Sequence, residues 1–241
     1  MNDLVNSIRE RYLGTLDRIA SAAKRSGRSP EAVKLVVVTK AQPVEVARAA
    51  IEAGAVILGE NYAEEGVTKI QSLQNFSAVE WHMIGHVQSR KAPLVAGHFN
   101  FMHSLDSLKL AKKLDRFCDE AGRVLPVLLE FNVGGEESKG GWEATDETRW
   151  AGLADEISEI LAMPNLRVRG LMSMPPLGET AEFSRPYFQK LRRLRNFLAG
   201  QLPQADLLEL SMGTSSDYEV AIEEGATFVR VGTAIVGPRT Y

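Results

Sequence analysis

Eight short runs rich in Val, Ile, Leu and aromatic residues recur from residue 34 onward, and longer amphipathic stretches separate most of them. The runs are "KLVVVTK" (34–40), "AVILGEN" (55–61), "VEWHMIG" (79–85), "FNFMHSL" (99–105), "VLPVLLEFNV" (124–133), "LRVRGLMSM" (166–174), "LLELSMG" (207–213) and "TFVRVGTAIVG" (227–237). Between them the spacing predicts helices over 44–53, 63–73, 107–121, 146–163, 181–201 and 217–224. A β-branched run without polar alternation fits a strand covered on both faces, as in a parallel sheet. Strands alternating with helices argue for βαβ units, and eight units without a linker argue for an α/β fold of one kind, a single (β/α)8 TIM barrel. The 241 residues suit one such domain over 1–241, with the first 27 as an additional N-terminal helix outside the barrel. Gly54, Gly122 and Gly225 stand where helix C-caps are expected.

Active sites of such barrels lie at the C-terminal ends of the strands. The side chains expected there are Lys40 from the first strand, Glu60, Asn61 and Tyr62 from the second, His82 and His86 from the third, and His103 and Ser104 from the fourth. The fifth brings Asn132, with Glu136, Glu137 and Lys139 in its loop, and the sixth brings Met172, Ser173 and Met174. The seventh brings Ser211 to Ser215 and the eighth Arg230, Gly232 and Thr233. In "SMGTSSDYEVAIEEG", small residues and hydroxyls precede a helix that Asp217 is placed to cap, so backbone N–H groups converge. Gly232 and Thr233 fall beside them, in the region after the last two strands where barrels often hold a phosphate. Tight Gly/Ser turns have the same composition, so this pair alone does not decide. Lys40 across the same rim adds an amine, and phosphate grip plus amine suits a ligand carrying a carbonyl that forms a Schiff base.

The segments "VVVTK", "GENYAEE", "WHMIGHVQSRK", "FNVGGEESKGG", "RGLMSMPP", "SMGTSSDYEVAIEEG" and "VRVGTAIVG" together resemble the pyridoxal phosphate homeostasis proteins of the YggS/PROSC type, which are similar to the N-terminal barrel of alanine racemase. The resemblance runs in order from about residue 34 to 237. It implies pyridoxal 5′-phosphate as cofactor and Lys40 as the lysine that holds it in an internal aldimine. It further implies Ser211, Gly213, Ser215, Gly232 and Thr233 around the phosphate, Arg230 close to the cofactor, and Asn61 and Met172 lining the pocket. The sequence departs from the family pattern at Ala41 and Gln42 after the lysine, at Arg90 and at Thr214. Arg230 leaves two geometries open: facing the pyridine nitrogen it would weaken the ring as an electron sink, and facing the phosphate it would clamp an anion.

Racemisation needs an acid–base group on each face of the bound substrate. In alanine racemases the tyrosine opposite the lysine comes from a second domain, and this chain ends at Tyr241, four residues after Gly237. The expectation is therefore a non-catalytic carrier acting in vitamin B6 and amino/keto acid homeostasis, with PLP-dependent apoenzymes as clients and the protein a monomer. The competing reading is a PLP-dependent racemase or a Schiff-base, aldolase-like barrel enzyme, for which Tyr62, Tyr218 and Glu60 are the candidate partners. Lys and Arg number 28 against 31 Asp and Glu, a formal charge of -3, which offers no footprint for nucleic acid or an anionic membrane. The basic run "FQKLRRLRNFL" carries Phe188, Leu191, Leu194 and Leu198 on one stripe and reads as a solvated helix face. Cys118 is the only cysteine and the N-terminus has no long apolar run, so a cytoplasmic protein without intrachain disulfides is expected. His82 and His86 share an H-x-x-x-H spacing that converges only on a helix, and in a strand it predicts no metal site.

Overall fold

The structure, a computed structural model, describes residues 2–136, 140–176 and 178–238. Glu137, Lys139 and Tyr241 lie outside the described residues. The strands are β1 (Lys34–Val38), β2 (Ile57–Glu60), β3 (Glu80–Met83), β4 (Phe101–Leu105), β5 (Leu125–Asn132), β6 (Trp142–Glu143), β7 (Leu166–Met172), β8 (Glu209–Ser211) and β9 (Phe228–Val231). All pairings are parallel; β1, β2, β3, β4, β5, β7, β8 and β9 close into a ring, because β4 also pairs with β5 and β9 pairs back with β1. That ring is the eight-stranded barrel expected from the alternation. The two-residue β6 hangs on the outer end of β5, inside what reads from sequence as an irregular loop.

Alternation along β1 shows how the barrel is filled. Leu35 and Val37 belong to the large core between the strands and the helices, whereas Val36 packs inside the barrel with Ile57, Leu128, Met172 and Phe228. The outer layer holds α2 (Val44–Glu52), α3 (Ala63–Ser72), α4 (Ala92–His98), α5 (Leu108–Glu120), α6 (Ala154–Leu161), α7 (Arg185–Gln201), α8 (Tyr218–Glu223) and α9 (Thr233–Val236). In α7 the stripe Phe188, Leu191, Leu194 and Leu198 is buried, with arginines outward. Gly54, Gly122 and Gly225 all take positive φ where helices end, the backbone a C-capping glycine supplies.

The long α1 (Asn2–Arg25) buries Val5, Ile8, Tyr12, Ile19 and Ala22 along one side. It binds the last two helices through polar groups. Arg11 Nε donates to the Ile235 carbonyl at 2.6 Å, Arg18 pairs with Glu219 at 2.7 Å, and Arg25 reaches Glu219 and Glu223 at 3.2 and 2.9 Å.

Several elements differ from the sequence expectation. The run 227–237 does not continue as a strand: β9 ends at Val231, Gly232 turns the chain at φ -110° and ψ -93°, and Thr233–Val236 coils into α9. A β-branched run favours a strand only while a partner strand continues beside it. The helix expected over 146–163 begins as a 3-10 turn at Glu147–Leu153, and that over 181–201 as a 3-10 turn at Ala181–Ser184 before Pro186 starts α7. Helix α4, opening beside Pro93, has no counterpart in the expected elements.

Candidate functional site

A cavity of about 450 Å³ opens at the C-terminal ends of the strands, a size suited to a small cofactor. Its wall includes Lys40, Asn61, Ser215, Arg230, Gly232 and Thr233, so six of the nine side chains and backbone positions expected from sequence share one space. Met172, Ser211 and Gly213 are not on that wall. Met172 packs in the barrel interior beneath it, Ser211 is fully buried behind Arg230, and Gly213 lies under the following turn.

Lys40 leaves β1 through a tight turn. Gln42 N–H donates to the Thr39 carbonyl at 3.2 Å, which places Ala41 at the turn's third residue with φ 53°. Glycine or asparagine is usual there, since an L side chain in the left-handed region costs about 1–2 kcal/mol. Two bonds hold the turn regardless: Thr39 N–H to the Gly59 carbonyl at 3.0 Å and Gln42 Nε2 to the Pro238 carbonyl at 3.2 Å.

Behind the turn stands a buried ionic brace that sequence reading missed. Lys69 on α3, 2% exposed, donates to the Thr39 carbonyl at 2.6 Å, to Glu60 Oε1 at 2.8 Å and to Glu65 Oε1 at 2.5 Å. Thr39 Oγ1 also donates to Glu60 Oε1, at 2.5 Å. Burial pushes the Glu60 carboxyl up, and Lys69 and Thr39 oppose that shift. The only local signal was Glu65 four residues before Lys69, a spacing that ordinarily marks an exposed helix pair. The brace fixes the residues immediately before Lys40 and Asn61. Neither Glu60 nor Lys69 lines the cavity, so the carboxylate expected beside Lys40 is engaged elsewhere.

Arg230 extends from β9 opposite Val36 of β1 and is buried. It donates to Ser211 Oγ at 2.5 Å and to the Ser173 carbonyl at 3.0 Å, two neutral acceptors. Burial brings its pKa down to about 10, and Glu130 and Asp217 offset part of that. His82 and His103, expected on the rim, are instead interior residues with no exposed surface. His103 Nδ1 lies 2.8 Å from Ser211 Oγ, His103 Nε2 lies 2.9 Å from His82 Nδ1, and His82 Nε2 lies 3.1 Å from Glu80. His86 bonds Asp106 out in the β3 loop, so the two histidines of the H-x-x-x-H spacing do not meet.

The turn after β8 forms the other end of the cavity. Asp217 occupies the N-cap position of α8 but bonds backward: Oδ1 accepts from Thr214 N–H at 2.7 Å and Oδ2 from Ser184 Oγ at 2.7 Å. Gly213 makes the close approach possible, with φ 91° and space so small that a Cβ would sit 2.6 Å from the Ala221 Cβ. Gly232 N–H donates to Ser215 Oγ at 3.2 Å, linking the two last units. Among the described residues, the N–H groups of Ser215, Ser216, Thr233 and Ala234 meet no protein acceptor. Asn61 Oδ1 is likewise buried without a partner. An amine, a buried guanidinium, the unpartnered N–H groups of Ser215, Ser216 and Thr233 and an orphan amide oxygen on one cavity fit a ligand with an aldehyde, a ring and a phosphate.

Residues 15–240 match the family model described as alanine racemase, N-terminal domain, which sets the class of barrel. The pyridoxal phosphate homeostasis protein of Aquifex aeolicus is 42% identical over 232 residues, covering 96% of this chain and 98% of the relative. That of Escherichia coli is 39% identical over 250 residues, covering 100% and 99%. The chain belongs to the pyridoxal phosphate homeostasis protein family. PipY of Synechococcus elongatus, solved with PLP bound, is 37% identical with a TM-score of 0.78 over 92% of this chain and 99% of PipY. Alanine racemase of Clostridium difficile shares the fold alone, at 17% identity and a TM-score of 0.67 over 95% of this chain and 56% of the racemase.

Proposed function

We propose that this chain binds pyridoxal 5′-phosphate through Lys40 and serves cofactor and amino/keto acid homeostasis without turnover of its own. The observation that carries the reading is the placing of Lys40 on one cavity wall with Asn61, Arg230 and the Ser215, Gly232 and Thr233 turns. The relatives named for pyridoxal phosphate homeostasis and the PLP-bound PipY support it. When bound, the cofactor would supply an aldehyde carbon, and the Lys40 amine is the group on this wall that would hold it. The N–H groups of Ser215, Ser216 and Thr233 would hold the phosphate, while Arg230 supplies positive charge at the cavity wall. Asn61 gives polar contact through its unpartnered oxygen. Ser211 and Gly213 act one step back, shaping the groups that touch the ligand, and Met172 supports them from below.

Binding without turnover accords with where the candidate acid–base groups stand. Tyr62 is exposed beside the mouth, Tyr218 is buried with Arg18 over its ring at 5.5 Å, and Glu60 is held by Lys69. We place the protein in the cytoplasm as a monomer that delivers the cofactor to apoenzymes; no helix among the described residues is long and apolar enough to cross a membrane. The test is absorbance after adding pyridoxal phosphate and removing the excess, in the parent and in Lys40→Ala. A visible band that borohydride bleaches, present in the parent and lost in the variant, is expected. Absence of the band from the parent refutes the reading.

A further inference from the structure

The barrel interior carries a file of polar side chains that binding at the rim does not require. It runs from Arg230 through Ser211, His103 and His82 to Glu80, whose side chain reaches solvent at the opposite mouth of the barrel. Its ends fix its direction. A guanidinium can only donate, so Ser211 Oγ accepts from Arg230 and keeps one hydrogen to give. A carboxylate can only accept, so His82 Nε2 carries a hydrogen toward Glu80. If both rings are neutral, His82 Nδ1 is bare and accepts from His103 Nε2–H, and His103 Nδ1 is bare and accepts the Ser211 hydroxyl. One assignment satisfies every link, and it runs from a cation to an anion. Burial favours the neutral rings, holding both imidazoles below the usual histidine range. Phe101 and Phe228 pack the rings at centroid distances of 5.0 to 5.8 Å, so neither ring is free to turn.

We propose that His103 and His82 are positioning residues for Arg230, acting through Ser211 to fix the guanidinium at the cavity wall; the inference rests on that cavity holding pyridoxal phosphate. Without the file the Ser211 hydroxyl is free to rotate, its lone pairs are no longer held toward Arg230, and only the Ser173 carbonyl remains as a fixed acceptor for the guanidinium.

The test has two parts. In the first, ¹⁵N NMR of the protein without added ligand, near pH 7.5, reads the tautomers of His82 and His103. Both are expected with hydrogen on Nε2 and a bare Nδ1; hydrogen on either Nδ1 overturns the proposal, and this needs no variant. In the second, affinity for pyridoxal 5′-phosphate is compared in the parent, His103→Phe and His103→Gln. Phe keeps the packing and breaks the file, while Gln offers an acceptor and a donor in the same direction. His103→Phe is expected to weaken affinity roughly tenfold, about one hydrogen bond's worth, with Gln recovering most of it. If Phe binds as the parent does, or Gln binds no better than Phe, the file has only a structural role. If the parent itself captures no pyridoxal phosphate on Lys40, the binding reading falls, and the tautomers alone decide the file.

Discussion

Replacing Lys69 by methionine keeps the length of the side chain and removes the amine from a site that solvent does not reach. Glu60, fully buried, and Glu65 then lose their shared cation, and the Thr39 carbonyl loses its donor. Removing one partner from a buried ion pair costs about 3–5 kcal/mol, because the remaining charge stays uncompensated. For a chain of this size each kcal/mol moves the melting temperature by roughly 2–4 °C, so Lys69→Met should melt roughly 6–20 °C below the parent. The deficit should also depend on pH. Without Lys69 the folded carboxyl of Glu60 titrates still further above its unfolded value. Such a group stabilises below the unfolded value and loses that contribution as pH rises through the folded one, so the deficit is smaller at pH 5 than at pH 8. Adding Glu60→Leu removes the stranded charge and should recover part of the loss. Thermal unfolding followed by circular dichroism at the two pH values reads all three effects. A loss below about 1 kcal/mol, or a double variant less stable than Lys69→Met alone, would refute the account of the brace.

Two further outcomes follow from the same geometry. Burial lowers the pKa of His82 and His103 despite the Glu80 bond to His82, while Lys34 from β1 and Arg230 from β9 push the same way. The unfolded chain therefore takes up protons first as pH drops below about 6.5, and stability should fall by up to about 1.4 kcal/mol per pH unit per ring. Urea midpoints between pH 7.5 and 5.5 measure this, and a flat profile would show that the rings are not held neutral. Ala41→Gly should stabilise by up to about 1 kcal/mol, since relief of the left-handed strain exceeds the added chain entropy of glycine. Destabilisation in the same urea assay would show that the turn carries no strain.

The barrel was legible in the sequence because its signal is repetitive: eight apolar runs read alike, and each predicts the same unit. Lys40, Arg230 and the Ser215, Gly232 and Thr233 turns were legible because they combine a fixed strand-end position with unusual residue types. What escaped was decided by partners distant in sequence. Nothing local distinguishes Lys69, which is buried only because Thr39, just after β1, and Glu60, at the end of β2, converge on it. The rim expectation for His82 and His103 fails because each is only the third residue of a short strand. With β3 starting at Glu80 and β4 at Phe101, both histidines fall inside. The end of β9 was misread for a related reason, as Thr233 to Val236 have strand-forming residues but no neighbouring strand to pair with.

The grip of α1 on α8 and α9 ties the outermost helix to the end of the cavity formed by the turns after β8 and β9. Those two helices are short, six and four residues, and cannot persist as isolated helices. Their N-termini carry the turns at Thr214–Asp217 and Gly232, so Arg11, Arg18 and Arg25 brace that wall from outside the barrel. Fraying of α1 is therefore expected to loosen that wall as well. By reciprocity, any ligand that orders the wall must also slow amide exchange along α1, on a face that never touches it. The N-terminal helix thus serves as a remote reporter of whether the cavity is filled.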